Sequence, residues 1–125
     1  MILLTVEEII SLHNKIVEMT GGSFGIRDRS LLESAVYNAV SSYADIEAYP
    51  TIEEKSARLM FALTNNHAFV DGNKRIGVMV MLMTLGLNNI ELEYSKQDLV
   101  DLGLLVAAGE KEYEYILDWI KNHKK

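Results

Sequence analysis

A chain of 125 residues and 14.1 kDa is the size of one domain and can bury a core without disulfide or metal staples. Hydrophobic residues make up 49%, and a formal charge of -6 with a pI of about 5.0 argues against direct nucleic-acid binding, which needs a basic face. The absence of cysteine excludes disulfides and thiolate metal sites and suits a reducing cytoplasm. Met1-Ile-Leu-Leu4 lacks the basic and long apolar regions of a signal peptide, and the most apolar run, Ile76 to Leu87, is too short to cross a bilayer. A cytoplasmic protein without membrane attachment is expected, organised as a single domain over residues 1–125.

The pattern predicts an all-α fold. Thr5-Val-Glu-Glu8 is a capping box, followed by Ile9, Leu12, Ile16 and Met19 at helical spacing. Gly21-Gly22 stops that helix. Asp28 or Ser30 can cap the next, whose stripe is Leu31, Leu32, Ala35, Val36 and Ala39. Residues 41–50 form the longest connection, closed by Pro50. Thr51-Ile-Glu-Glu54 is a second capping box; its helix points Ala57, Met60, Phe61 and Thr64 inward and ends at Asn65-Asn66. A helix apolar nearly all round, and therefore central, spans Asn73 to Leu85, with a stop at Gly86-Leu-Asn-Asn89. Ile90 to Tyr94 reads as a short extended piece. Ser95 caps a helix carrying Leu99, Leu102, Leu105 and Val106, and Gly109 breaks it. A last amphipathic helix holds Tyr113, Ile116, Leu117 and Ile120 and runs into a basic tail.

The chemistry concentrates in His67-Ala-Phe-Val-Asp-Gly-Asn-Lys-Arg75, a polar turn between two apolar helical runs. His67, at the mouth of the turn, is suited to take a proton from a hydroxyl. Asp71 can hold Mg²⁺, which is commonly bound by one carboxylate together with phosphate oxygens and water. His13 and His123 lie far off in sequence, so no multi-ligand metal set is evident. Gly72 lets the backbone approach an anion or take positive φ. Asn73, Lys74 and Arg75 open the next helix, whose free N–H groups form an anion site. Lys74 adds a point charge and Arg75 a bidentate grip. Phe69 reads as the plug that seats the turn in the core. Each residue also has a structural alternative: His67 as a helix-end histidine, Asp71 as a cap, Lys74 and Arg75 as solvated charges. Their clustering favours a nucleotide phosphate chain across a helix N-terminus, with phosphoryl or nucleotidyl transfer to a hydroxyl.

The motif resembles the signature of the Fic/Doc superfamily, His-x-Phe-x-(Asp/Glu)-Gly-Asn-Gly-Arg-x-x-Arg. Lys74 stands at the second glycine and Val78 at the last arginine, and both departures match the Doc (death-on-curing) branch. Gly25-Ile-Arg-Asp28, Leu31-Leu-Glu-Ser-Ala35 and the Ala-Ala-Gly-Glu110 stretch extend the likeness along the whole chain. The resemblance implies a bundle of about six helices with the motif between two central ones. It also implies the toxin half of a toxin–antitoxin pair using ATP and Mg²⁺. Carried over, His67 is the catalytic base, Asp71 the metal ligand, and Gly72, Asn73 and Arg75 phosphate contacts. Lys74 corresponds to the Doc lysine.

A lysine in the glycine turn and a missing outer clamp both disfavour the AMP transfer of Fic enzymes. The resemblance instead implies γ-phosphate transfer to a Thr or Ser of a target, with elongation factor Tu as the target class and translation inhibition as the outcome. AMP transfer and a silent binding module are the alternatives. Residues 41–49 occupy the place of the Fic flap, which pairs with an extended target segment; a plain surface loop is the other reading. The self-inhibitory pattern (Ser/Thr)-x-x-x-Glu-(Gly/Asn) has no match. Restraint in trans is therefore expected, from an antitoxin whose disordered tail folds into a groove on this domain.

Overall fold

The computed structural model describes all 125 residues. Its helices are α1 (Val6–Thr20), α2 (Arg29–Ala39), α3 (Ile52–Asn65), α4 (Asn73–Leu87), α5 (Lys96–Ala107) and α6 (Tyr113–Asn122); the only strands are β1 (Ser42–Tyr43) and β2 (Ile46–Glu47). The class is all-α, with a minimal hairpin. The helix starts follow from local chemistry. Thr5 Oγ1 accepts the Glu8 N–H (3.1 Å) while Glu8 Oε1 accepts the Thr5 N–H (2.9 Å). The same reciprocal box opens α3 at Thr51/Glu54 and α5 at Ser95/Asp98. Asp28 caps α2, accepting the Ser30 N–H at 3.0 Å.

α3 and α4 form the most extensive helix pair and contribute to both halves of the core. On one side Leu59, Leu63, Ile76 and Val80 pack with Ile9 and Ile16 of α1 and Leu32 of α2. On the other, Ala57, Met60, Met81 and Leu85 pack with Leu102, Val106, Ile116 and Ile120. Gly77 makes the close approach possible. A Cβ there would overlap Thr64 Oγ1 and lie 3.1 Å from the Met60 carbonyl oxygen.

Several sequence expectations are corrected. Met19 is 85% exposed, because it lies at the C-terminal end of α1 beside an open groove; Val17 is buried instead. Phe61 is half-buried, against the guanidinium of Arg58 at 5.6 Å from its ring centre. α4 runs through Gly86 to Leu87, and Asn88 stops it, donating from its side chain to the Thr84 carbonyl (2.8 Å). α4 is not covered all round: Met79, Met83 and Leu87 are exposed along it.

The 41–50 connection is a hairpin. Ala44 (φ 51°) and Asp45 (φ 65°) form the turn, the left-handed pair that a two-residue hairpin loop requires, although the usual Asn-Gly or Asp-Gly signal is absent. Ser42 to Glu47 are all exposed. The hairpin base is tied down by Lys55, only 2% exposed, whose Nζ donates to Glu47 Oε1 (3.0 Å) and to the Tyr49 carbonyl. The Tyr49 ring meets the Tyr113 ring edge-on at 5.2 Å. Residues 90–94 form no strand: Leu92 makes a single isolated antiparallel bridge with Lys124, and the Glu93 N–H donates to the His123 carbonyl (2.7 Å), which anchors the last residues.

Replacing Gly77 by alanine should push α3 and α4 apart. Unfolding in urea should show a loss of about 1–3 kcal/mol, the usual cost of overpacking. An unchanged midpoint would mean that the two helices separate freely at this level.

Candidate active site

Residues 66–72 join the end of α3 to the start of α4 and are braced by backbone pairing with residues 25–28. The Arg27 and Asp28 N–H groups donate to the Ala68 carbonyl (2.8 and 3.0 Å), and the Val70 N–H to the Gly25 carbonyl (3.0 Å). Phe69 is buried and Val70 is 57% exposed. The Asn73 side chain closes the turn onto Phe69: its Oδ1 accepts the Phe69 N–H (3.1 Å) and its Nδ2 donates to the Phe69 carbonyl (3.0 Å). Arg27 covers the end of α3, donating from Nε to the His67 carbonyl (2.6 Å) and from Nη2 to the Asn66 carbonyl (3.2 Å).

This bracing leaves the reactive groups outside. His67 is exposed in the left-handed region (φ 55°), and its imidazole forms no hydrogen bond within the chain. Asp71 Oδ2 accepts the Ser23 N–H (3.0 Å) and Oδ1 the Gly72 N–H (2.8 Å). These two donors, then the Arg75 and His13 side chains, hold its carboxyl below the ordinary aspartate range, so it is ionised at neutral pH. Arg75 Nη1 donates to Thr20 Oγ1 (2.6 Å) and to the Gly21 carbonyl (2.8 Å), while Nη2 lies 3.7 Å from Asp71 Oδ2. Gly22 is required at this junction: with φ 109°, a Cβ would fall 2.5 Å from Asp71 Oδ2 and 2.8 Å from Arg75 Nη2.

Gly72, left-handed at φ 77°, is the N-cap of α4 and offers no side-chain cap. The N–H groups of Asn73, Lys74 and Arg75 therefore lack intrahelical partners and face outward beside a positive helix end. The Lys74 side chain is exposed and its stem packs against Gly103 of α5. His67, Asp71, Gly72, Asn73, Lys74 and Arg75 thus lie around one turn. The Asn73 side chain is engaged with the turn backbone, which leaves its N–H, not its amide, to meet an anion.

Five residues outside the motif contribute to it and went unrecognised as such: Arg27, Thr20, Gly22, Ser23 and His13. His13 Nε2 donates to the Asp71 carbonyl (2.7 Å), 58 positions away in sequence. Its place on the α1 face that buries Ile9, Ile16 and Val17 was a signal of burial, though not of its partner. No group of three His, Cys, Asp or Glu side chains is gathered anywhere. A cation at this turn would rest on Asp71 alone, as Mg²⁺ does when phosphate oxygens complete its shell.

The turn thus brings together an uncapped helix N-terminus, an ionised carboxylate and an unbonded imidazole, groups that can meet an anion and take up a proton. The Fic/DOC family model matches residues 3–85, from before α1 into α4. The chain belongs to the Fic/DOC family. It is 38% identical over 72 residues to a protein named Toxin Doc from Mycolicibacterium smegmatis, covering 58% of this chain and 55% of that one. It is 29% identical over 115 residues to a protein named Protein kinase doc from Escherichia phage P1, covering 92% and 90%. Both relatives lie in the Doc branch of the family, where this chain falls too. The matched part thus spans little more than half of the first relative's length. No helix is long and apolar enough to cross a membrane.

The Asp71 bonds give a pH prediction. A carboxyl whose folded value is lowered supports the turn at pH above its unfolded value and loses that support as pH falls through the folded one. The Ser23 and Gly72 amide signals in an NMR titration should therefore move together with an inflection below 3.8, the ordinary aspartate value. An inflection at or above that value would show that the two N–H bonds do not favour the carboxylate.

Proposed function

We propose that this chain is a Doc-type toxin that transfers the γ-phosphate of ATP to a Thr or Ser hydroxyl of a target protein. Elongation factor Tu is the first candidate target, and arrest of translation the consequence. The observation that carries the reading is the exposed, unbonded imidazole of His67 beside the open N-terminus of α4 and the ionised Asp71. The names of the two relatives, a toxin and a protein kinase, support it.

The N–H groups of residues 73–75, with Lys74 and Arg75, would bind the phosphate chain and neutralise its charge. Mg²⁺ held at Asp71 would further neutralise the phosphates. His67 accepts the proton of the target hydroxyl. That oxygen bonds to the γ-phosphorus as the bond to the bridging oxygen breaks, and ADP leaves. AMP transfer is less well served. Val78, where Fic enzymes carry a further arginine, is a half-buried apolar side chain packed toward Gly103. The exposed hairpin at 42–47 supports an extended target segment added at its edge.

The expected antitoxin has a suitable surface. An apolar groove of about 410 Å³ between α1, α4 and α5 is lined by Ile16, Met19, Val78, Met79, Leu99 and Val100. Lys74 and Arg75 also border it, so a helix seated there would reach the phosphate residues.

Incubation with Mg²⁺ and γ- or α-labelled ATP, with elongation factor Tu or whole lysate, tests the function. Label should reach a protein from the γ position only, and His67→Ala should lower transfer by at least about 100-fold, the usual worth of a general base. Label from the α position would make the chain an AMP transferase. No label from either would favour a binding module.

A further inference from the structure

The motif turn contains a glycine in the left-handed region. Gly72 sits at φ 77°, and rotating the Asp71–Gly72 peptide by half a turn would bring it to negative φ, which glycine accepts equally well. In the observed orientation the Gly72 N–H points to Asp71 Oδ1 at 2.8 Å. A peptide is planar and trans, so the Asp71 carbonyl must point the opposite way. It points into the core, where His13 Nε2 meets it at 2.7 Å. A carbonyl only accepts, so Nε2 carries the proton. His13 is 1% exposed, and its ring is stacked on Phe69 with centres 3.8 Å apart and planes 9° apart. Its other nitrogen, Nδ1, is buried without a partner, so the bond to Asp71 is the only polar engagement of the ring.

We propose that His13 is a positioning residue: it locks the Asp71–Gly72 peptide with its carbonyl inward, and thereby keeps the carboxylate and the α4 N-terminus arranged for phosphate. The proposal rests on the reading of this turn as a phosphate and Mg²⁺ site. Without the lock, a half-turn of the peptide would swing a carbonyl oxygen toward the anion. It would also remove the Gly72 donor from Asp71 Oδ1, freeing a carboxylate then held only by Ser23 and Arg75. The glycine that lets the backbone come close to phosphate is the reason a lock is needed.

Two variants separate the bond from the stack. His13→Phe keeps a ring on Phe69 and removes the donor; His13→Gln keeps a donor at similar reach and removes the ring. Thermal melts establish that each is folded, and His13→Leu replaces His13→Phe if the larger ring does not fit. Affinity for ATP with Mg²⁺ is measured by calorimetry, and the Gly72 and Ser23 amides by NMR without ligand. His13→Phe should lose about tenfold or more in affinity, the worth of one lost hydrogen bond, and shift the Gly72 amide. His13→Gln should stay within about threefold of the parent and keep that amide in place. A native Gly72 amide in folded His13→Phe, or a His13→Gln as defective as His13→Phe, would overturn the lock. If the parent chain itself binds no ATP, the phosphate reading fails, and the ligand-free amide signals still decide whether His13 orients the peptide.

Discussion

Everything at the site depends on how closely α3 and α4 lie side by side. With no side chain at Gly77, the backbone of one helix rests on Thr64 and Met60 of the other. That contact sets where α3 ends and α4 begins, and the motif is the piece of chain that must connect those two ends. Residues 66–72 are therefore a bridge of fixed span, and their unusual backbone values, His67 at φ 55° and Gly72 at φ 77°, are what crossing it requires. A non-glycine residue in the left-handed region persists only where its surroundings over-determine it. Here Arg27 on its carbonyl and the pairing of 25–28 with 68–70 do so.

The polar motif is thus half of a larger assembly. The last residues of α1, the glycine-rich link after it and the strand-like segment before α2 all lean on the turn, through Thr20, Gly21, Ser23, Gly25, Arg27 and Asp28. Backbone groups supply most of these contacts, and of the turn's charged side chains only the Asp71 carboxylate and Arg75 are engaged by them, which leaves His67 and Lys74 free. Arg75 joins the end of α1 to the motif while its guanidinium stays partly open to solvent.

The helices were legible because their starts are written locally. Thr5, Thr51 and Ser95 each cap a helix with an acid three residues on, and no distant partner is needed to read that. The motif residues were legible as a cluster for the same reason. Long-range geometry was not. Met19 continued the α1 stripe in sequence but falls where α1 passes the edge of its neighbours. The hairpin turn uses Ala44 and Asp45 in place of the glycine that would have announced it. Asn73 carried the right chemistry for an anion, yet its amide is spent on Phe69 two positions before Asp71. His13 served in the sequence only to argue against a multi-ligand metal site, because nothing local ties it to Asp71 in the turn between α3 and α4.

The buried Lys55 has a consequence of its own. It grips the hairpin from beneath, through a backbone carbonyl and one carboxylate near the base, while Ser42 to Ile46 take no part in that grip. The position of the hairpin is thus separated from the identity of the residues it displays. Substitution of those outward residues would therefore change the surface the hairpin displays while leaving the Lys55 anchor beneath it intact.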